Sequence, residues 1–155
     1  MEHTTHGLTR RKALTAAGLG VAATAGIPGF LEAAEWSAAE KANVQLVNDF
    51  CSAWPNHDLA KIMSFFADTC AYRVNENQEP FKGRQAVTDR IKSFLDRVVQ
   101  FEVIETFARG PMVFNERIDR FMGGPLRSWH GVGVFFLRDG KIVEWYDYTI
   151  SADRG

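Results

Sequence analysis

The hydrophobic rhythm of the chain changes once, near Gln100, and that change limits the folds open to it. Before it, apolar residues recur at helical intervals. Ser37-Ala38-Ala39-Glu40 has the form of a capping box, and Val44, Val47, Cys51 and Trp54 follow at helical spacing until Pro55. Asp58 is placed to cap a second, short helix with Leu59, Ile62, Phe65 and Phe66 on one face. "TCAYRV", Thr69 to Val74, is strand-like. After the polar loop "NENQEPFKG", a third amphipathic helix carries Val87, Ile91, Phe94, Leu95 and Val98. Beyond Gln100 the rhythm alternates: "FEVIETFARG", "PMVFNERIDRFM", "LRSWHGVGVFFL" and "KIVEWYDYTI" are strand candidates punctuated by Gly or Pro, with Asp139-Gly140 as a tight hairpin signal. Helices first and an antiparallel meander after them predict an α+β domain, a curved sheet with helices packed on one side.

Composition narrows the function. The 155 residues are 46% apolar and 24% charged, enough for one domain with a sizeable core. A formal net charge of -1 and no lysine cluster beyond the N-terminus argue against a nucleic-acid partner. The histidines His3, His6, His57 and His130 and the cysteines Cys51 and Cys70 never fall at zinc-ligand spacing, so no metal or cofactor is expected. The first stretch carries Arg10, Arg11 and Lys12 and then runs uncharged and rich in Ala and Gly from Ala13 to Leu31. It looks like a twin-arginine secretory signal, with small residues near Ala25 or Ala33 as cleavage points. Residues 1–35 are expected to be a signal peptide that exports the chain, with no stable membrane association after cleavage. Residues 36–155 are the domain. "GLGVAATAG" mimics a dinucleotide-binding fingerprint, but no strand precedes it.

One strand raises the question of chemistry. In "FNERIDRF", Asn115, Arg117 and Asp119 share a face opposite Met112, Phe114 and Ile118. In the last strand Asp147 falls in the set Val143, Trp145, Asp147, Thr149, opposite Ile142, Glu144, Tyr146, Tyr148 and Ile150. Between them, Gly131 and Gly133 share a face with Trp129 and remove side-chain volume that a ligand could fill. Two readings stay open on periodicity alone: a buried ion-pair network with glycines marking twist, or a functional site.

Arg117-x-Asp119 on one strand, with Trp145-x-Asp147-Tyr148 on the last and "FKGRQAV" at Phe81 to Val87, closely resembles the limonene-1,2-epoxide hydrolases of the SnoaL-like, nuclear-transport-factor-2-like superfamily. The resemblance covers nearly the whole expected domain. It implies a cone-shaped fold with a curved, mixed or antiparallel sheet, three N-terminal helices over a deep pocket, no metal and an Asp-Arg-Asp catalytic group. It places Arg117, Asp119 and Asp147 in that group, Tyr72 as a residue that positions water, and Asn75 as the second water-holding residue through a bulge, with Asn77 as the other candidate. The implied activity is hydrolysis of a hydrophobic epoxide to a vicinal diol. Asp119 would be the base, Asp147 the acid and Arg117 the bridge between them. A superfamily this broad also offers isomerases or cyclases like ketosteroid isomerase or the polyketide cyclases, and non-catalytic small-molecule carriers.

Phe121, Trp129 and Trp145 share the acidic face and are expected to bind the apolar substrate. Met112, Phe114, Ile118, Val132, Val134, Phe136, Ile142, Tyr146, Tyr148 and Ile150 form a second apolar face, for which a homodimer is the natural partner. Cys51 and Cys70 could be bridged or remain two buried thiols, and spacing does not decide.

Overall fold

The computed structural model describes residues 35–154. The signal expected over residues 1–35 lies, except for Glu35, outside the described residues. The domain opens with helix α1, Ala38–Ala53, whose N-cap Ser37 forms a reciprocal capping box with Glu40. Its inward stripe, Val47, Phe50, Cys51 and, one turn on, Trp54, is buried. Pro55 closes the helix into a single 3-10 turn, and His57 ends it with φ 52. Helix α2, Leu59–Met63, is capped by the Asp58 carboxylate as its sequence predicts.

Strand β1 runs Phe66–Arg73, β2 is the two-residue strand Phe81–Lys82, and helix α3 spans Arg84–Leu95. Strands β3 (Val98–Arg109), β4 (Met112–Phe121), β5 (Ser128–Arg138) and β6 (Lys141–Asp153) form the expected meander. Three boundaries differ from the sequence reading. Phe66 opens β1 rather than closing α2, and Val98 opens β3 rather than extending α3. Each is a buried apolar residue at an element's edge, where both rhythms accept it. The "FKG" segment, read as loop, adds a short edge strand to β1.

The six strands form one mixed sheet in the order β2-β1-β6-β5-β4-β3. Only β1 and β6 are parallel, with Tyr72 beside Trp145. The remaining pairs are antiparallel. Bulges interrupt β3, β1 and β6, which bends the sheet around the helices. One bulge corrects the sequence reading. Leu137 pairs with Ile142 and Phe136 with Glu144, so Val143 is the extra residue and Ile142 turns to the same face as Trp145. Ile142 is fully buried in the core and is not part of the outer face.

The core lies between the concave side of the sheet and α1 and α3. Phe50 sits at its centre, edge-on to Trp54, Phe65, Phe66, Phe135 and Trp145 at centroid separations of 5.2 to 5.8 Å. Cys51 and Cys70 are both buried and both free thiols. Phe50→Ala should therefore cost about 3–5 kcal/mol of stability, the usual range for emptying a buried Phe site, measured by denaturant unfolding at constant m-value.

Candidate active site

The inward positions of β4 are Val113, Asn115, Arg117 and Asp119, all buried, and the last three are polar. Across the sheet Asn115 faces Gly133, which in turn faces Asp147 on β6. Arg117, with no exposed surface, reaches over this glycine to tie the two acids together. Its Nε donates to Asp119 Oδ1 at 2.9 Å and its Nη2 donates to Asp147 Oδ1 at 3.0 Å and to Asp119 Oδ2 at 3.4 Å. The guanidinium also lies against the rings of Phe101, Trp129 and Trp145, at 4.9, 5.0 and 5.4 Å from their centroids.

The two glycines that suggested an empty space are instead filled by the protein's own side chains. A Cβ at Gly133 would stand 2.5 Å from Arg117 Nη1 and 2.7 Å from Phe135. One at Gly131 would collide with the Trp129 ring and the Tyr148 carbonyl. Both glycines let a large flat group lie directly on the sheet.

Asp147 accepts three hydrogen bonds: from Arg117, from Trp145 Nε1 at 2.7 Å and from Tyr72 Oη at 3.4 Å. Among the described residues, Asp119 is bonded by Arg117 alone. Burial raises the pKa of both acids, opposed by Arg117. For Asp119 the result is about 7, the Asp147 charge adding to the effect of burial. Burial by itself would lower the Arg117 pKa, but the two carboxylates outweigh it and keep the guanidinium charged. Tyr72 is pushed well up, by burial first and by the Asp147 charge second, so it is a phenol that donates.

A cavity of about 90 Å³ opens onto this group. Tyr72, Asp119 and Asp147 reach it, and Phe94, Phe101, Phe121, Leu126 and Trp129 form apolar walls. Phe121 and Trp129 are thus where the sequence places them. Trp145 is not: it is fully buried beneath the cavity, stacked on Tyr72 at 3.9 Å, and its indole N–H holds Asp147. It holds the Asp147 carboxylate and does not line the cavity. Asn75 is also displaced. Its Oδ1 accepts the Asn77 backbone N–H at 3.0 Å, an Asx turn that keeps the side chain in its own loop and off the cavity wall. The buried asparagine of the site is Asn115, behind Arg117, accepting from the Cys51 thiol at 3.5 Å and donating to Thr106 Oγ1 at 2.7 Å. Sequence reasoning named Asn115 only as a face-mate of Arg117, although its place in the inward set of β4 was the available signal. No group of three or more His, Cys, Asp or Glu able to hold a metal occurs among the described residues.

Residues 47–145 match the family model of the SnoaL-like domain. The epoxide hydrolase EphG of Mycobacterium tuberculosis is 30% identical over 104 residues, 66% of this chain and 69% of that protein. An LEH-like epoxide hydrolase structure from M. tuberculosis superposes with a TM-score of 0.63 at 27% identity, covering 71% of this chain and 84% of that one. A protein of unknown function from Mesorhizobium loti also superposes with a TM-score of 0.63, at 21% identity, covering 76% of this chain and 98% of that one. The last likeness shows the fold alone.

Gly133→Ala should displace the Arg117 guanidinium. The expected outcome is about 1–3 kcal/mol of lost stability from overpacking, with activity falling far more than stability, read by unfolding and turnover on the same preparation.

Proposed function

The chain belongs to the SnoaL-like domain family, and from that footing we propose that it hydrolyses a hydrophobic epoxide to a vicinal diol by direct attack of water. The observation that carries this reading is the single buried guanidinium shared by two acids at the floor of an apolar cavity. Arg117 and two carboxylates are neutral together only when one carboxylate holds a proton, so the pair divides into an acid and a base. The superfamily's isomerase and cyclase chemistries need one base facing an oxyanion donor, which leaves the second Arg117-bound acid without a task.

The hydrogen bonds favour the reverse of the roles inferred from sequence. Three donors stabilise the anion at Asp147, against one residue's donors at Asp119, and Tyr72, the residue expected to hold water, touches Asp147. Asp147 is then the base and Asp119 the acid. Water gives a proton to Asp147 as its oxygen bonds to an epoxide carbon. That carbon's ring C–O bond breaks, and the freed oxygen takes the proton of Asp119. One proton has passed from Asp119 to Asp147 and returns through solvent before the next turnover. Arg117 holds both acids in place and balances the charge throughout.

Single turnover in heavy-oxygen water should place label in the diol from the first turnover, with inversion at the attacked carbon. Unlabelled first-turnover diol would point to a carboxylate nucleophile and overturn the reading. Because the acid must carry its proton, kcat/KM should fall as pH rises through about 7. Asp119→Asn should remove that limb and lower kcat by roughly 10²–10⁴-fold.

The outer face of the sheet carries exposed apolar side chains among its polar ones. Phe107, stacked on Phe114 at 4.9 Å, is 45% exposed, and Tyr148 and Ile150 are 43% and 57% exposed. We read this face as the contact with a second copy, and residues 1–35 as an export signal. Mass in solution should be that of a dimer, and a stable monomer would contradict the first of these readings.

A further inference from the structure

The floor of the cavity is balanced in charge, but its rim is not. Besides Asp119 and Asp147, the charged side chains that line it are Arg90 and Arg97. Once Asp119 holds a proton, Asp147 and Arg117 cancel, and two positive charges remain. Neither rim arginine has an ion pair among the described residues. Arg90 gives Nη1 to Ser93 Oγ at 3.0 Å and packs over Phe94 at 5.1 Å, while its buried Nε has no acceptor among the described residues. The Arg97 side chain has neither hydrogen bond nor ion pair among the described residues. A Cβ on Gly124 would stand 2.6 Å from its Nη1, so the guanidinium rests on the exposed β4–β5 turn. The Arg97 carbonyl accepts the Met122 N–H at 2.7 Å, which joins this turn to the end of α3. Arg90, Phe94 and Arg97 follow at intervals of one helical turn, so a cationic and aromatic stripe crosses the entrance.

A neutral terpene-like epoxide gives these two guanidinium groups nothing to bind, and an unpartnered cation beside an apolar wall is costly to desolvate. A carboxylate matches the guanidinium fork and would satisfy the free donors. We propose that Arg90 and Arg97 form an anion-binding mouth that selects compact epoxides bearing a carboxylate, the ring entering between the aromatic walls and the acid group staying at the rim. The epoxide part of this statement rests on the hydrolase reading, whereas the carboxylate part does not.

The test uses the full chain and three probes: an epoxycyclohexane carboxylate, its methyl ester, and cyclohexanecarboxylate, which has no epoxide. The acid should exceed the ester in kcat/KM by about tenfold or more, chiefly through KM, as expected for a charge-assisted pair. Arg97→Gln and Arg90→Gln should each collapse that ratio toward one, with partial recovery in Arg97→Lys, whose charge is retained. Cyclohexanecarboxylate should bind more tightly than its neutral amide, read by tryptophan fluorescence, and should lose that advantage in Arg97→Gln. Equal hydrolysis of acid and ester, or equal binding of acid and amide, overturns the mouth while the hydrolase reading stands. Arg97-dependent carboxylate binding by a protein that opens none of the epoxides supports the mouth and overturns the hydrolase reading instead.

Discussion

A guanidinium with no exposed surface must be neutralised and hydrogen-bonded where it stands, and in this protein the arrangement around Arg117 meets that demand with two carboxylates from different strands. The surrounding sequence follows from it. A glycine is needed at position 133 because the guanidinium crosses the sheet there, and Phe101, Trp129 and Trp145 lie against the cation. Removing Arg117 would leave two buried acids with no countercharge, whereas removing the protonated acid leaves Arg117 paired with the other, so the guanidinium is the member on which the cluster depends. Of the three guanidinium nitrogens of Arg117, Nη1 is the one with no acceptor among the described residues, being pressed toward Gly133.

The single parallel pairing in the sheet serves the same centre. β1 and β6 are adjacent in register with Tyr72 beside Trp145, so the phenol and the indole stack and both donate to Asp147. An acid with three donors keeps its negative charge more readily than one with a single bonded neighbour. The asymmetry between Asp147 and Asp119 is thus a consequence of strand order. On the helix side, Phe50 and Cys51 of α1 come from adjacent positions: one fills the aromatic core, the other gives its thiol to Asn115. Core and site share a wall.

Much of this was legible in the sequence because two periodicities carry it. The capping box of α1, the Asp58 cap of α2, the inward stripe of α1, the four-strand meander and the grouping of Arg117, Asp119 and Asp147 follow from spacing and from the resemblance carried by those residues. What spacing could not reveal were register defects and side-chain reach. The bulge at Val143 moved Ile142 across the sheet, since one unpaired residue reverses alternation. Asn75 was assigned by motif, but a free backbone N–H two residues on captured its side chain. Trp145 shares the face of Asp147, yet facing inward is not the same as facing the cavity. Gly131 and Gly133 looked like vacant volume because a sequence does not show that Trp129 and Arg117 fold down over them.

The alternation that builds the site also restricts how it can change. Along β4, Asn115, Arg117 and Asp119 face the helices while Phe114, Glu116 and Ile118 face outward, where Glu116 meets His130 at 2.8 Å. A one-residue slip would bury Glu116 and Ile118 in place of Arg117 and Asp119 and expose the guanidinium, so register is held by the cost of both faces at once. The rim is free of that constraint. Arg90 and Arg97 come from a helix and the turn after it, outside the ladder, where one residue can change without moving a strand. On the proposed reading, chemistry would be fixed on the strands and selectivity carried by the rim, so that one fold can keep its floor and vary what it admits.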